Sequence, residues 1–503
     1  MESVERSKSL SIGEHGWQKV AHLLPPLAFL AAMFWLFPFR QRFEFDLDEG
    51  LNAMKALLVA RGYPLYSQVW SDQPPLLTYL LAGVVRLFGA NIDAARTLVL
   101  LLSTLLMGAA AHFLKISWGL WHALAGALII TLLPFYTAMS VSVMVGLPAI
   151  AIAVGSLASI QAWHQYRQNR WLVLSAILLG LSVLTKLFTG LLAPLYVLGI
   201  LLSERNALSW TRRLRPAILW CLVFGIVTAG LGLVLVGPAY LSQLVTTHLS
   251  ARQDPAFLSL TESQSITWHL RDAWAMLFLG AVGAGFVILE RRWTSLYLVG
   301  WALGAYLLLS FHAPVWYHHQ FLVTIPAGIL AGIAVGEAVR WILALRRDRF
   351  RLSLRLLLVL LALAGFAATL AARVRPTYHT FVLPAFLIPP EAPSEGREIP
   401  FLTEMSSRAD KTHWVVTDLP MYAFRAGLPV PPPLAALTDK RLASGEISEE
   451  QIIQVIEDYQ PEQVLLGRFN LPAVEAHVRE DYRRIYQWGR KTLYLHGELK
   501  RNP

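Results

Sequence analysis

The sequence contains few charged residues and a single cysteine. Asp, Glu, Lys and Arg make up 15% of its 503 residues, whereas soluble proteins contain about 25%. Hydrophobic residues make up 55%, which excludes both an ordinary soluble protein and a disordered chain. Cys221 has no partner for a disulfide within the chain, and its apolar neighbours indicate a packed thiol rather than a reactive one.

The net charge of +10 does not indicate a nucleic-acid partner. Nucleic-acid binders gather basic residues into a patch, whereas long apolar runs dominate this chain. Arg6, Lys8 and Lys19 precede the first apolar run, which lacks a small-residue cleavage site. We therefore expect an uncleaved membrane anchor rather than a signal peptide.

The apolar runs are long enough to cross a membrane, which takes roughly 20 residues per helix. We predict about 11 spans, within a few residues at each end: 20–39, 97–114, 119–138, 141–162, 171–185, 188–203, 216–237, 273–289, 294–311, 320–339 and 353–372. A further apolar stretch, 75–89, follows Pro74-Pro75 and contains Arg86. It is either a short span or a helix lying at the membrane interface.

The distribution of arginine decides between these alternatives, because Lys and Arg gather in cytoplasmic loops. If 75–89 does not span, the arginine-rich loops 163–170, 203–215, 290–293 and 340–355 all lie inside. The predicted topology is a multi-pass plasma-membrane protein. It has a cytoplasmic N-terminus (1–19), a transmembrane domain (20–375) with an outside loop at 40–96, and an extracytoplasmic α/β domain (376–503).

In the C-terminal domain the long apolar runs give way to short ones. Short strand-like runs occur at 412–417, 463–466 and 492–495, and a helix is predicted over 448–459. Ser448 and Gln451 match a capping box, and Pro461 ends the helix. The domain contains neither a Gly-rich phosphate loop nor a nucleophile elbow. It is expected to be a cover or interaction module.

Three features outside the predicted membrane spans could carry chemistry. Glu44, Asp46, Asp48 and Glu49 crowd beside the bilayer, where an apolar setting raises carboxyl pKa values; the alternative is a solvated acidic loop. Lys186 lies at an outer span end, where it would either bind an anion or extend its ammonium to the interface.

The third feature, the segment 316–320, contains Tyr317, His318 and His319 at the start of a late span. This segment could hydrogen-bond to a phosphate or a sugar, or it could form an aromatic belt at the membrane interface. A metal ion shared by the two histidines is not expected, because adjacent histidines face different sides of a helix. Arg252 and Arg271 are candidates for clamping a phosphate, with plain surface placement as the alternative.

The order of these features resembles the GT-C membrane glycosyltransferases. The resemblance is closest to the dolichyl-phosphate-mannose protein mannosyltransferase and lipid A aminoarabinose transferase group, and extends to the bacterial RgtA/B/C/D-like enzymes. The residues that carry it are Asp48-Glu49, Pro74-Pro75-Leu76, Gly89, Arg96, Lys186, the aromatic-His segment ahead of Pro326, and 415–427 in the C-terminal domain.

This resemblance implies a hexosyl- or pentosyltransferase that takes a sugar from a polyprenyl-phosphate donor. The acceptor would be a lipid, glycan or protein at the outer face. Asp48 would act as base with inversion, and Glu49 would lie beside it. Lys186 would contact the carrier phosphate, and the helix after Pro75 would lie along the membrane surface. The resemblance requires no cofactor, and it leaves undecided whether a divalent cation takes part.

Two departures from the family pattern bear on activity. Gln73 stands where many members have a lysine, and 140–146 contains no carboxylate where many members have one. The substrate-binding set predicted here is Asp46, Gln73, Lys186, Arg252, Arg271, Tyr317, His318 and His319. The alternatives are a flippase for lipid-linked sugars, which would need charged mid-span residues or inverted repeats, and an inactive member that acts as a binding protein.

Overall fold

The computed structural model describes residues 20–203, 210–237, 243–244, 265–312, 314–344, 354–377 and 398–497. The predicted cytoplasmic segment 1–19 therefore lies outside the described residues. Most of the described chain is helical. The described residues before the C-terminal domain form these α-helices: α1 (Leu24–Trp35), α2 (Leu47–Ala60), α3 (Leu76–Phe88), α4 (Ile92–Ser117), α5 (Leu120–Thr131), α6 (Tyr136–Met139), α7 (Gly146–Tyr166), α8 (Asn169–Val183), α9 (Leu192–Ser203), α10 (Trp210–Gly225), α11 (Gly232–Val236), α12 (Ile266–Leu270), α13 (Trp274–Leu289), α14 (Leu296–Ser310), α15 (Phe321–Ala344) and α16 (Leu354–Thr377).

Within the described residues, seven helical stretches are long and apolar enough to cross a membrane: Ile92–Ser117, Gly146–Tyr166, Leu214–Leu235, Ile266–Leu289, Trp293–Ser310, Tyr317–Leu343 and Leu354–Pro376. Four shorter apolar helices, Ala21–Trp35, Leu120–Thr131, Asn169–Val183 and Leu187–Ser203, occupy the remaining predicted spans. The predicted polytopic helical fold is confirmed, and each of the 11 predicted stretches contains an apolar helix.

The ambiguous stretch 75–89 forms α3, which has 13 residues. At 1.5 Å per residue it is about 20 Å long, short of the roughly 30 Å hydrocarbon core. One side of α3, including Leu77, Leu81 and Val85, is buried, while Leu87 and Phe88 are exposed. This one-sided burial agrees with an interfacial helix.

Close packing of small residues holds the central helices together. A Cβ on Gly332 of α15 would lie 2.5 Å from the Cα of Gly126 in α5. Without side chains at these positions the two backbones can touch, as is common where membrane helices cross. Asn91 starts the long helix α4 by accepting hydrogen bonds from the amides of Asp93 and Ala94.

The bundle has two chemically different ends. Arg96, near the start of α4, pairs with Glu49, whereas Trp118 follows its end, about 33 Å farther along the helix. At the Trp118 end, Arg292 stacks over the Trp118 ring, and Glu337 binds His122, Arg340 and Arg355. Arginines of two of the predicted cytoplasmic loops therefore lie together, away from the acidic loop.

The C-terminal domain is a four-stranded sheet with helices. Its elements are α17 (Ile399–Ser406), β1 (Val415–Thr417), α18 (Pro420–Arg425), α19 (Asp439–Ala443), α20 (Glu449–Tyr459), β2 (Gln463–Leu466), α21 (Pro472–Asp481), β3 (Tyr482–Trp488) and β4 (Lys491–His496). The strand order is β1-β2-β4-β3; β1 and β2 are parallel, and the other pairs are antiparallel.

The predicted capping box at Ser448 and Gln451 is present, and α20 ends at Tyr459 as predicted. Strand β3 was not predicted, because it exposes four of its seven residues and lacks a continuous apolar run. The core of this domain continues into α2 and α3, since Met54, Leu57, Met421 and Tyr422 belong to one buried cluster. The domain therefore packs directly on α2 and α3.

Candidate active site

A cavity of about 870 Å³ lies where α2, the Lys186 loop, the Tyr317–Gln320 turn and the C-terminal domain meet. Seven of the ten predicted site residues line it: Asp46, Asp48, Gln73, Lys186, Tyr317, His318 and His319. These residues come from four separate parts of the chain. The tertiary fold therefore brings the predicted base, the predicted phosphate-binding lysine and the histidines into one cavity.

Asp46 and Asp48 are held by the start of α2. The Asp46 carboxylate accepts a hydrogen bond from the Asp48 amide at 2.9 Å, which caps the helix, and another from the Tyr317 hydroxyl at 2.8 Å. The Asp48 side chain faces the cavity. Burial, reinforced by the neighbouring Asp46 charge, raises the pKa of Asp48 to about 6. That value suits a general base near neutral pH.

Glu49 lies behind the cavity wall rather than in it. Its carboxylate binds the Arg96 guanidinium through both oxygens, at 2.9 and 2.8 Å. It also accepts hydrogen bonds from the amides of Val143 and Phe45. Both charged side chains are fully buried. The prediction that Glu49 is catalytic is corrected, because adjacent residues on a helix point about 100° apart and only Asp48 faces the cavity.

Glu44, the remaining carboxylate of the acidic loop, lies within electrostatic reach of Lys491 and Glu398 in the C-terminal domain. Burial raises its pKa to about 7, and Glu49 adds to the effect while Lys491 opposes it. The four crowded carboxylates thus have four different settings: Glu44 near the domain interface, Asp46 as a helix cap, Asp48 in the cavity and Glu49 in an ion pair.

Lys186 lies in the short loop between α8 and the Leu187–Leu191 turn. Its ammonium is 5.5 Å from the centre of the Phe188 ring, and no carboxylate of the described chain forms an ion pair with it. Burial lowers the pKa of Lys186 to about 8, while the charge of Asp48 acts in the opposite direction. The side chain is therefore a cation that lines the cavity without a neutralising partner among the described residues.

The Tyr317–Gln320 turn contributes the aromatic and histidine wall. His318 lines the cavity, and its Nδ1 has no hydrogen-bond partner in the described parts of the protein. The Nδ1 atom of His319 accepts a hydrogen bond from the Trp316 amide, and its ring packs at 5.5 Å from Phe188. Among the described residues, His319 therefore uses its Nδ1 within the turn, whereas the Nδ1 of His318 makes no hydrogen bond.

One of the predicted phosphate contacts, Arg271, lies away from the cavity. Arg271 does not line the cavity: its guanidinium is exposed, stacks on Trp268 at 4.0 Å and approaches Asp272 at 3.7 Å. This position supports the surface alternative and corrects its assignment as a substrate contact. Arg252 lies outside the described residues. Gln73 lines the cavity, and its backbone oxygen accepts hydrogen bonds from Tyr66 and Ser71.

Sequence reasoning missed two further cavity residues on α2. Asn52 and Lys55 follow Asp48 by four and seven residues, so all three share one helix face. The Asn52 amide donates to the carbonyl of Val143 at 2.9 Å. Lys55 is buried, which lowers its pKa, and lies 3.5 Å from Ser71. The sequence signal for Asn52 and Lys55 is the recurrence of polar residues at helical spacing within an otherwise apolar helix.

The C-terminal domain supplies charged residues that no local pattern indicated. Lys440 binds Asp72 at 2.8 Å, and Arg468 binds Asp439 at 3.0 Å; all four line the cavity. Although 140–146 contains no carboxylate, Asp72 and Asp439 add acidic groups from other segments. No group of three or more His, Cys, Asp or Glu side chains that could hold a metal ion occurs in the described segments.

Comparisons with known proteins agree with this architecture. Residues 72–231 match the family model described as dolichyl-phosphate-mannose-protein mannosyltransferase. No curated protein sequence matches the chain. Among solved structures, ArnT from Cupriavidus metallidurans bound to undecaprenyl phosphate superposes with a TM-score of 0.59 at 18% identity, covering 95% of this chain and 98% of that one.

Archaeal enzymes share the same architecture. The oligosaccharyltransferase of Archaeoglobus fulgidus in its apo form has a TM-score of 0.55 at 14% identity, covering 89% of this chain and 70% of that one. AglB from the same organism, in complex with an inhibitory peptide and a dolichol-phosphate, has a TM-score of 0.53 at 13% identity, covering 96% and 75%. The chain is therefore a multi-pass membrane protein with the fold of the GT-C glycosyltransferases.

Proposed function

We propose that this protein transfers a sugar from a polyprenyl-phosphate-linked donor to an acceptor at the outer face of the plasma membrane. The observation that carries the proposal is the joint presence of Asp48 and Lys186 in one cavity at an end of the helix bundle. The similar ArnT structure was determined with undecaprenyl phosphate. A carboxylate and a cation near the bilayer suit a lipid-linked phosphosugar.

Asp48 is the base in the proposed reaction. It removes the proton from an acceptor hydroxyl while that oxygen attacks the anomeric carbon of the sugar. The bond from the anomeric carbon to the phosphate oxygen breaks, and the polyprenyl phosphate leaves from the opposite side. The configuration inverts, because attack and departure take place on opposite faces in a single displacement.

Lys186 holds the phosphate of the donor. At pH 7 a lysine with a pKa of about 8 is still mostly protonated. The ammonium therefore stabilises the charge that grows on the leaving phosphate, which is where electrostatic stabilisation lowers the barrier most. His318, which also lines the cavity, is a second polar contact for the carrier or the sugar. Lys186 supplies the positive charge that the leaving phosphate requires. Measuring transfer activity while a divalent cation is titrated in would show whether a metal ion also contributes.

The charge distribution supports an outward-facing cavity. Arg292, Arg340 and Arg355 lie at the end of the bundle away from the acidic loop. Because Lys and Arg are enriched in cytoplasmic loops, that end would be cytoplasmic and the cavity would face outward. The C-terminal domain, which forms part of the cavity wall, is then extracytoplasmic.

Sugar transfer by the purified protein in nanodiscs tests this proposal. Undecaprenyl-phosphate donors carrying glucose, mannose, glucuronate or aminoarabinose are each offered with an envelope lipid extract as acceptor. Asp48→Asn should lower transfer at least 100-fold, and Lys186→Ala should do so about tenfold or more. Asp410→Asn and Lys411→Ala change exposed residues of the C-terminal domain and are the matched controls.

Unchanged transfer in both Asp48→Asn and Lys186→Ala would overturn the assignment of the site. Flux of a lipid-linked sugar across sealed vesicles, without any transfer, would instead favour a flippase.

A further inference from the structure

The charges around the cavity fall into two groups with different chemistry. Among the described lining residues, four are acidic and four are basic: Asp46, Asp48, Asp72 and Asp439, and Lys55, Lys186, Lys440 and Arg468. Two of the basic residues form short ion pairs at the rim formed by the C-terminal domain. Lys186, on the side formed by the membrane helices, forms none with a described residue.

The Arg468–Asp439 pair combines spare donors with spare acceptors. Nη2 of Arg468 donates to Asp439 at 3.0 Å, and the 15% of the Arg468 side chain that stays exposed leaves further N–H donors of the guanidinium for a ligand. The Asp439 side chain is 44% exposed, so one of its oxygens can still accept. The pair as a whole is neutral. Such a pair can donate to one sugar oxygen and accept from a neighbouring hydroxyl.

Other parts of the C-terminal domain hold the loop that carries Arg468 in place. The buried carboxylate of Asp418, directly after β1, accepts hydrogen bonds from the amides of Gly467, Arg468 and Phe469. A Cβ at Gly467 would lie 2.6 Å from the backbone of Lys491, so the loop also lies tightly against β4. Asp418 is therefore a positioning residue that holds Arg468 at the cavity. A surface arginine would not require this support.

A phosphate and a sugar prefer different partners. An anion gains most from a cation that no carboxylate has already neutralised, which describes Lys186. A neutral polyol gains from balanced donor and acceptor groups. A charged sugar would place an additional charge beside the neutral ion pair, and burying that charge is unfavourable. The two sides of the cavity therefore divide the recognition of a phosphosugar between them.

We propose that the Arg468–Asp439 pair binds hydroxyl groups of an uncharged sugar, so that the C-terminal domain selects the sugar while Lys186 binds the phosphate. This inference rests on the proposed transfer from a polyprenyl-phosphate donor. It names the substrate class as a neutral polyhydroxylated sugar, in preference to a uronate or an amino sugar. It also gives the domain a substrate-contacting function.

Binding of carrier and donor by the full-length protein in nanodiscs tests the inference. The probes are undecaprenyl phosphate alone and undecaprenyl phosphate linked to glucose, mannose, glucuronate or aminoarabinose, in competition with radiolabelled undecaprenyl phosphate. Wild-type protein should bind at least one of the two neutral donors about tenfold or more tightly than the bare carrier. The two charged donors should bind no more tightly than the bare carrier.

Arg468→Gln and Asp439→Asn should each remove this preference and leave the affinity for undecaprenyl phosphate within about twofold. Lys186→Ala should weaken both the donor and the bare carrier. Arg408→Gln is the control, because Arg408 forms a similar pair with Glu404 in the same domain and does not line the cavity. If Arg468→Gln does not fold, the half-exposed Asp439→Asn decides the question.

The outcomes separate the two proposals. If wild-type protein does not bind undecaprenyl phosphate, the proposed function fails and this inference fails with it. If the carrier binds but Arg468→Gln and Asp439→Asn weaken carrier and donor equally, only the inference is overturned. Tighter binding of the glucuronate or aminoarabinose donor than of both neutral donors would also overturn it.

Discussion

Asp48 and Glu49 are neighbours in sequence but belong to two different regions of the molecule. Glu49 lies in a closed cluster, where Arg96 and two backbone amides use its hydrogen-bonding capacity. Asp48 lies in the open cavity, where burial and the charge of Asp46 disfavour its ionised form. A carboxylate with all its partners holds the fold together, whereas one without them remains available for a reaction.

The same contrast separates the two ends of the helix bundle. At the Trp118 end, Glu337 binds His122, Arg340 and Arg355, so that α5, α15 and the start of α16 are held together. At the cavity end, Lys186 has no such partner among the described residues. Glu337 follows Phe321 by sixteen positions, which puts about 24 Å of helix between the two clusters. Glu337 therefore ties three helices together, whereas Lys186 keeps its charge available for a ligand.

Glu49→Gln should give the largest effect on stability. An amide cannot neutralise the buried Arg96, and removing one partner of a buried ion pair costs about 3–5 kcal/mol. Asp48→Asn should leave the melting temperature unchanged or raise it, because it removes a charge that burial disfavours. Thermal unfolding in detergent measures both. Equal destabilisation by the two variants would break the distinction between the two carboxylates.

The pH dependence of transfer sharpens the same comparison. Asp48 acts as a carboxylate, so kcat/KM should fall about tenfold per pH unit below its pKa of about 6. Lys186 acts as an ammonium, so kcat/KM should fall similarly above its pKa of about 8. The resulting bell-shaped profile is measured with a saturating acceptor. A profile that stays flat from pH 5 to pH 9 would contradict both roles.

Gly50→Ala should give a smaller effect, on the contact between α2 and the C-terminal domain. A Cβ at Gly50 would lie 2.7 Å from the backbone nitrogen of Met421, so α18 has to shift. Overpacking of this kind costs about 1–3 kcal/mol. Thermal unfolding and transfer assays measure the effect, and Gly83→Ala in α3, where a Cβ meets no atom within 4 Å, is the control. A neutral Gly50→Ala would show that the domain does not depend on this contact.

Local sequence patterns were sufficient for the parts of the site that lie in unusual surroundings. Asp48 and Lys186 stood out because charged groups beside apolar runs are rare. Lys440 and Arg468 did not stand out, since they are ordinary charged residues of a polar domain, roughly 250 positions or more from Lys186. Long-range contacts, among them the packing of α18 against α2, bring that domain to the cavity.

The sequence by itself determined the membrane helices, their charge asymmetry and the position of the acidic loop, because hydrophobic length and arginine placement are local properties of the chain. The tertiary structure alone decided which carboxylate faces the cavity and which charges are already paired. It did so because the Asp46 cap sets the rotation of α2, turning Asp48 toward the cavity and Glu49 toward Arg96. Pairing depends on distances in space that no sequence spacing specifies.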